Sequence, residues 1–124
     1  MGMNVKRAAE VVLGIIFLGA GINGLIVWFG VQPLLPTSPK AEQFLGTGYF
    51  LALEKGTEMI CGLLLLTRHF VPLALLVLAP IVINIIAFHI FIDADLLVLA
   101  LIVLTLEVLL LWNYRAHYEG LLKK

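Results

Sequence analysis

Four long apolar runs separated by short breaks dominate this chain, and they leave too little polar surface for a water-soluble fold. A helix that crosses a bilayer needs about 20 largely apolar residues, and stretches 8–30, 44–67, 70–92 and 94–114 meet that requirement. Of the 124 residues, 62% are hydrophobic and only 13% are charged, whereas soluble domains carry about 25% charged residues. The expected fold class is therefore all-α: one polytopic membrane domain over 1–124, a four-helix bundle running up-down-up-down.

The breaks between the runs support that topology. The first linker, "GVQPLLPTSPKAEQ", carries Pro33, Pro36 and Pro39, which forbid one continuous helix there. A tight corner at "TRHF" precedes Pro72, a residue suited to a helix's first turn. The acidic corner Asp93–Asp95 closes the third run. Short connections favour antiparallel neighbours. The basic start and apolar run at the N-terminus imitate a signal peptide, but three further apolar runs favour a retained first helix.

Basic residues orient the bundle. Lys6, Arg7, Arg68, Arg115, Lys123 and Lys124 fall on one side of the four-span arrangement, and only Lys40 falls in the opposite loops. The positive-inside rule then places both termini in the cytoplasm, with the Pro-rich linker and the Asp93–Asp95 corner outside. Trp28 at the outer end and Trp112, Tyr114 and Tyr118 at the inner end suit interfacial anchors. Zero net charge argues against a nucleic-acid partner. A single cysteine, Cys61, excludes disulfide or dithiol chemistry within the chain.

Against this apolar background, Asn23, Glu54, Lys55, Glu58, Asn84, His89 and Glu107 stand inside the runs. A charge at mid-bilayer costs about 2.5–3.5 kcal/mol on insertion scales, so such groups face protein or a cavity. Helical spacing puts Glu54, Glu58 and Cys61 on one face, with Lys55 flanking Glu58 at three residues. Gly48, Lys55 and Gly62 form a seven-residue stripe beside that face, open to a neighbouring helix. At ~1.5 Å per residue, Asn23 and Asn84 lie roughly 10–12 Å below the outer boundary, Glu54 about 15 Å, and Glu58 and Glu107 about 20 Å. These residues can therefore converge on one polar chamber that opens outward, used for ligand binding or proton relay.

Structural roles compete with that reading. Asn23 and Asn84 can hydrogen-bond across helices, Lys55–Glu58 can be a plain ion pair, and His89 can sit wet at the interface. Glu107 has no cation on its own helix. Glu10 is expected to pair with Lys6 or Arg7, and Cys61 to pack as a small buried side chain. The ExxH pattern of di-iron bundles is absent, so no metal is expected. "GINGLI" and "VINIIA", followed in the next runs by Glu58 and Glu107, hint at two hairpin repeats.

The chain resembles the DoxX-like family of small four-helix membrane proteins. The resemblance is carried by "GINGL", the "E-x-x-C-G-L-L-L-L" run from Glu58, "VPLALLVLAPIVINIIAFH" ending at His89, and "E-x-x-L-L-W-x-Y-R" from Glu107. It implies a bacterial inner-membrane protein, an acid at Glu58, and association with quinone-dependent sulfur oxidation and thiol stress. Cys61 stands where that family commonly has glycine. Two functions from different classes follow: a redox-associated subunit holding a quinone, or a non-catalytic binder of a small lipid-like or cationic ligand. A homo-oligomer or a partner membrane subunit would suit the glycine stripe.

Overall fold

The computed structural model describes residues 3–35 and 39–123, and these contain helices and no strand. Pro36 of the linker and Lys124 of the basic set lie outside the described residues. Helices α1 (Met3–Trp28), α2 (Pro39–Leu45), α3 (Tyr49–Thr67), α4 (Val71–Phe91) and α5 (Leu97–Asn113) precede a 3-10 turn, Arg115–Tyr118, and a last short helix, α6 (Glu119–Leu122). Two segments, Asn4–Trp28 and Val71–Phe91, are long and apolar enough to cross a membrane. The α3 helix carries Glu54, Lys55 and Glu58 within its 19 residues. The α5 helix is apolar but only 17 residues long, and the segment Arg115–Leu122 bends away from it by 75°.

The element boundaries differ from the expected runs for local reasons. The first helix begins five residues before its apolar run, because "NVKRA" consists mainly of helix-compatible residues that need no bilayer. The second run breaks at Gly46, whose φ of +68° no helix accommodates, so Phe44 and Leu45 belong to α2. Pro39 opens α2, a position where its missing N–H is no loss. Before α5, the Asp95 amide donates to Asp93 Oδ1 at 3.1 Å, closing a turn that delays the helix to Leu97. The "TRHF" corner places both Arg68 (φ 59°) and Phe70 (φ 54°) in the left-handed region.

Helix α1 packs against α3 and α5, and α4 packs against α3 and α5, so each long helix has two neighbours. Leu13 and Phe17 of α1, Leu65 of α3, Leu75, Leu78 and Val82 of α4, and Leu110 of α5 fill the middle. The same helices expose large apolar side chains outward, including Ile15, Leu53, Ile83, Val98 and Val108. The start of α1, the end of α3, the start of α4 and the region after α5 meet at one end. There Arg7 reaches the Leu65 and Leu66 carbonyls, and the Tyr118 hydroxyl donates to the Pro72 carbonyl at 2.7 Å. Lys6, Arg7, Arg68 and Arg115 belong to that end.

Glycine lets α1 and α3 come together backbone to backbone. A methyl group on Gly62 would sit 2.5 Å from the Leu18 nitrogen, and one on Gly21 would sit 2.6 Å from the Met59 nitrogen. Of the expected stripe, Gly62 and Lys55 do face α1, but nothing lies within 4 Å of a Cβ on Gly48. Gly48 stands at the entry to α3, where the chain comes off the α2 corner and the neighbouring helix is no longer beside it. The matching small residues are on α1, at Gly14, Gly21 and Gly24.

Candidate functional site

Two adjoining cavities lie where α2, α3 and α4 meet. The smaller, of about 100 Å³, has Ala41, Phe44 and Leu45 of α2 on one side. Glu54 and Lys55 of α3 and Asn84, Ile85, Phe88 and His89 of α4 complete it. The larger, of about 410 Å³, is a groove between α3 and α4 lined by Phe50, Leu53, Thr57, Pro80 and Ile81. Glu54 and Asn84 line both, so they stand at the junction of a polar chamber and an apolar groove.

Short-range sequence logic explains the polar chamber. Glu54 and Lys55 are neighbours on α3, while Asn84 and His89 are five residues apart on α4, about 140° around the helix, so the chamber wraps part of the α4 surface. The α2 helix is held over the chamber by Phe44, whose ring lies 5.6 Å from that of Phe88 and 6.4 Å from that of Phe50. Lys40 Nζ lies 3.4 Å from the Ile92 carbonyl, a second tie between α2 and the end of α4. His89 Nδ1 is 2.8 Å from the Asp93 carbonyl, which fixes the ring across the chamber's edge.

Lys55 and Glu58 form the ion pair that their spacing allows, with Nζ 3.3 and 3.5 Å from the two carboxylate oxygens. The lysine stem lies against Gly24 of α1, where any β-carbon would collide with Cγ, Cδ and Cε. Glu54 adjoins the Glu58 carboxyl one turn away and interacts with it directly. Glu58 is thus buried behind the chamber wall rather than lining it.

Asn23, Glu58 and Glu107 line neither of these two cavities. Asn23 is buried and serves the backbone: its Oδ1 accepts from the Leu34 and Leu35 amides at 2.8 and 2.9 Å, and its Nδ2 donates to the Leu35 carbonyl. It fastens the chain leaving α1, whereas Asn84 lines both cavities. Glu107 is buried on α5, and neither carboxyl oxygen has a hydrogen-bond partner among the described residues. Glu58 and Glu107 both lie within electrostatic reach of buried Cys61. Both acids are thus buried among packed side chains around that thiol.

An unpartnered buried polar group costs about 1–3 kcal/mol. Glu107→Leu, close in volume, is therefore expected to raise the stability of the purified protein by about that amount. Thermal unfolding in detergent measures this; a lowered midpoint would show that the carboxyl makes an interaction worth more than its burial.

A second polar cluster, at the basic end, was not legible as a unit. Glu10 is fully buried; it accepts from Arg7 Nη1 at 3.3 Å and from the Tyr114 hydroxyl, and Arg68 Nε approaches at 3.7 Å. The expected Arg7 pairing is present, whereas Lys6 lies 3.9 Å over the Tyr114 ring. Tyr114 is consequently an interior residue rather than an interfacial anchor. Tyr118, whose phenol is pushed up to about 12 by burial and then by the Glu107 charge, remains a donor to Pro72 at working pH. Trp112 alone of the three faces outward, with the Arg115 guanidinium 4.4 Å above its ring. No protein-family model, curated protein or solved structure matches the chain.

Proposed function

We propose that the chain is a multi-pass membrane protein of the DoxX-like kind that binds a small amphiphile without transforming it. In this reading α1, α3, α4 and α5 form an up-down-up-down four-helix bundle with both termini cytoplasmic. The apolar outward side chains and the collection of Lys6, Arg7, Arg68 and Arg115 at one end support it. At ~1.5 Å per residue α5 reaches only about 26 Å, a few ångströms less than a ~30 Å hydrocarbon core. The 75° bend after it would then lay Arg115–Leu122 along the cytoplasmic interface.

One observation carries the binding assignment: Glu54 and Asn84 stand where a small polar chamber joins a larger apolar groove. A ligand with a polar head and an apolar tail matches that division, and binding sites commonly combine apolar walls with few convergent polar groups. The quinone-linked proton relay is the weaker reading, since Glu58 and Glu107 line neither cavity. Native mass spectrometry of gently extracted protein is expected to show a co-purifying lipid-like mass. Thr57→Trp, which fills the groove, should reduce its occupancy at least tenfold. A bare protein mass, or occupancy unchanged in the variant, would contradict the proposal.

A further inference from the structure

The polar chamber contains more hydrogen-bond acceptors than available donors, and this specifies the head it takes. Its one lysine is already committed: the Lys55 stem lies against Gly24 and the ammonium is within 3.5 Å of both Glu58 oxygens. A carbonyl oxygen only accepts, so the 2.8 Å contact to the Asp93 carbonyl requires a proton on His89 Nδ1. In the neutral ring Nε2 is then left as an acceptor. Glu54 adds a carboxylate, and the Asn84 amide can present its oxygen.

Ion pairing points the same way. On α3 the Lys55 ammonium pairs with Glu58, which is buried behind the wall, while Glu54 lines the chamber itself. From α2, Lys40 is tied to the Ile92 carbonyl, and neither it nor Glu42 lines the chamber. From α4 the only titratable lining group is His89, and the Asp93 carboxylate beyond it accepts from the Asp95 amide. Among the described residues no basic side chain bridges to Glu54. The chamber's volume of about 100 Å³ suits a small head, and the apolar groove of about 410 Å³ suits the tail.

We infer that the amphiphile's head is a small primary ammonium, donating to Glu54, Asn84 and His89 while its single alkyl chain lies in the Phe50–Leu53–Ile81 groove. An ammonium offers three donors and no acceptor, complementary to this wall, and it gives Glu54 the basic partner that the described residues do not. A quinone carbonyl, a carboxylate or a phosphate would instead meet acceptors. This inference rests on the amphiphile-binding reading, and the test separates the two.

The protein in phosphatidylcholine nanodiscs is titrated with dodecylamine, dodecanol, dodecanoate and dodecyltrimethylammonium, each corrected for partitioning into empty nanodiscs. Dodecylamine should bind at least tenfold tighter than each of the others. In Glu54→Gln that preference should fall at least tenfold, with dodecanol binding little changed. Equal affinities, or preference for dodecanoate, would overturn the ammonium assignment and leave an amphiphile site standing. Preference for the trimethyl compound would overturn donor recognition. Absence of binding by all four would overturn both readings. The wild-type series decides the matter even if Glu54→Gln fails to fold.

Discussion

Glu10→Ala is expected to lower stability by about 3 kcal/mol. The magnitude follows from what the carboxylate holds. Hydrogen bonds to a charged group contribute about 1.5–3 kcal/mol, and a buried donor left without a partner costs about 1–3 kcal/mol. Arg68 is half exposed, and Arg7 keeps its bonds to the Leu65 and Leu66 carbonyls, so water and backbone soften the loss for both. The Tyr114 hydroxyl has no such relief, because the residue is buried. Most of the penalty therefore belongs to the Glu10–Tyr114 contact, which joins the two ends of the chain across 104 positions. A double-mutant cycle with Tyr114→Phe should return a coupling of about 1–2 kcal/mol. Thermal unfolding in detergent supplies all four values; an unchanged midpoint for Glu10→Ala would mean the cluster contributes nothing to holding α1, α3 and α5 together.

The second large effect is expected at the α1–α3 contact. Gly62→Ala would place a methyl 2.5 Å from the Leu18 nitrogen and 2.8 Å from the Gly14 oxygen, and Gly21→Ala would meet the Met59 nitrogen and the Lys55 oxygen at 2.6 and 2.7 Å. These neighbours are backbone atoms that cannot rotate away, so the helices themselves must separate. Overpacking of this kind typically costs about 1–3 kcal/mol, and the larger Gly62→Val should exceed that range. Gly24→Ala differs in kind: it collides with the flexible Lys55 stem, so it should disturb the Lys55–Glu58 pair more than overall stability. Gly56→Ala is the control, since nothing lies within 4 Å of the added methyl. It should be neutral or stabilising by up to about 1 kcal/mol, the helix propensity difference. Equal melting points for Gly62→Ala and Gly56→Ala would contradict the close approach of α1 and α3.

Long apolar runs and their breakers are local signals, so the helices were legible, and so were pairs within one helix such as Lys55–Glu58 and Arg7–Glu10. The short α2 helix was missed because Pro39 reads as a breaker, although at the first helical position it is compatible with helix. That omission hid the wall that Ala41, Phe44 and Leu45 give the polar chamber. Contacts between distant positions leave no periodic trace. Nothing near Tyr114 announces Glu10, and nothing near Asn23 announces that the Leu34 and Leu35 amides will return to it. Depth estimates assign Glu58 and Glu107 a similar height, but height does not distinguish a residue lining a chamber from one sealed behind its wall.

A structure of the protein determined in lipid with dodecylamine present tests the central claim most directly. The account predicts alkyl density along Phe50, Leu53 and Ile81, ending in a head within about 2.6–3.2 Å of Glu54, with α2 closed over it. Density confined to the outer bilayer surface, or a chamber filled by repacked Phe44 and Phe88 with no ligand, would contradict it.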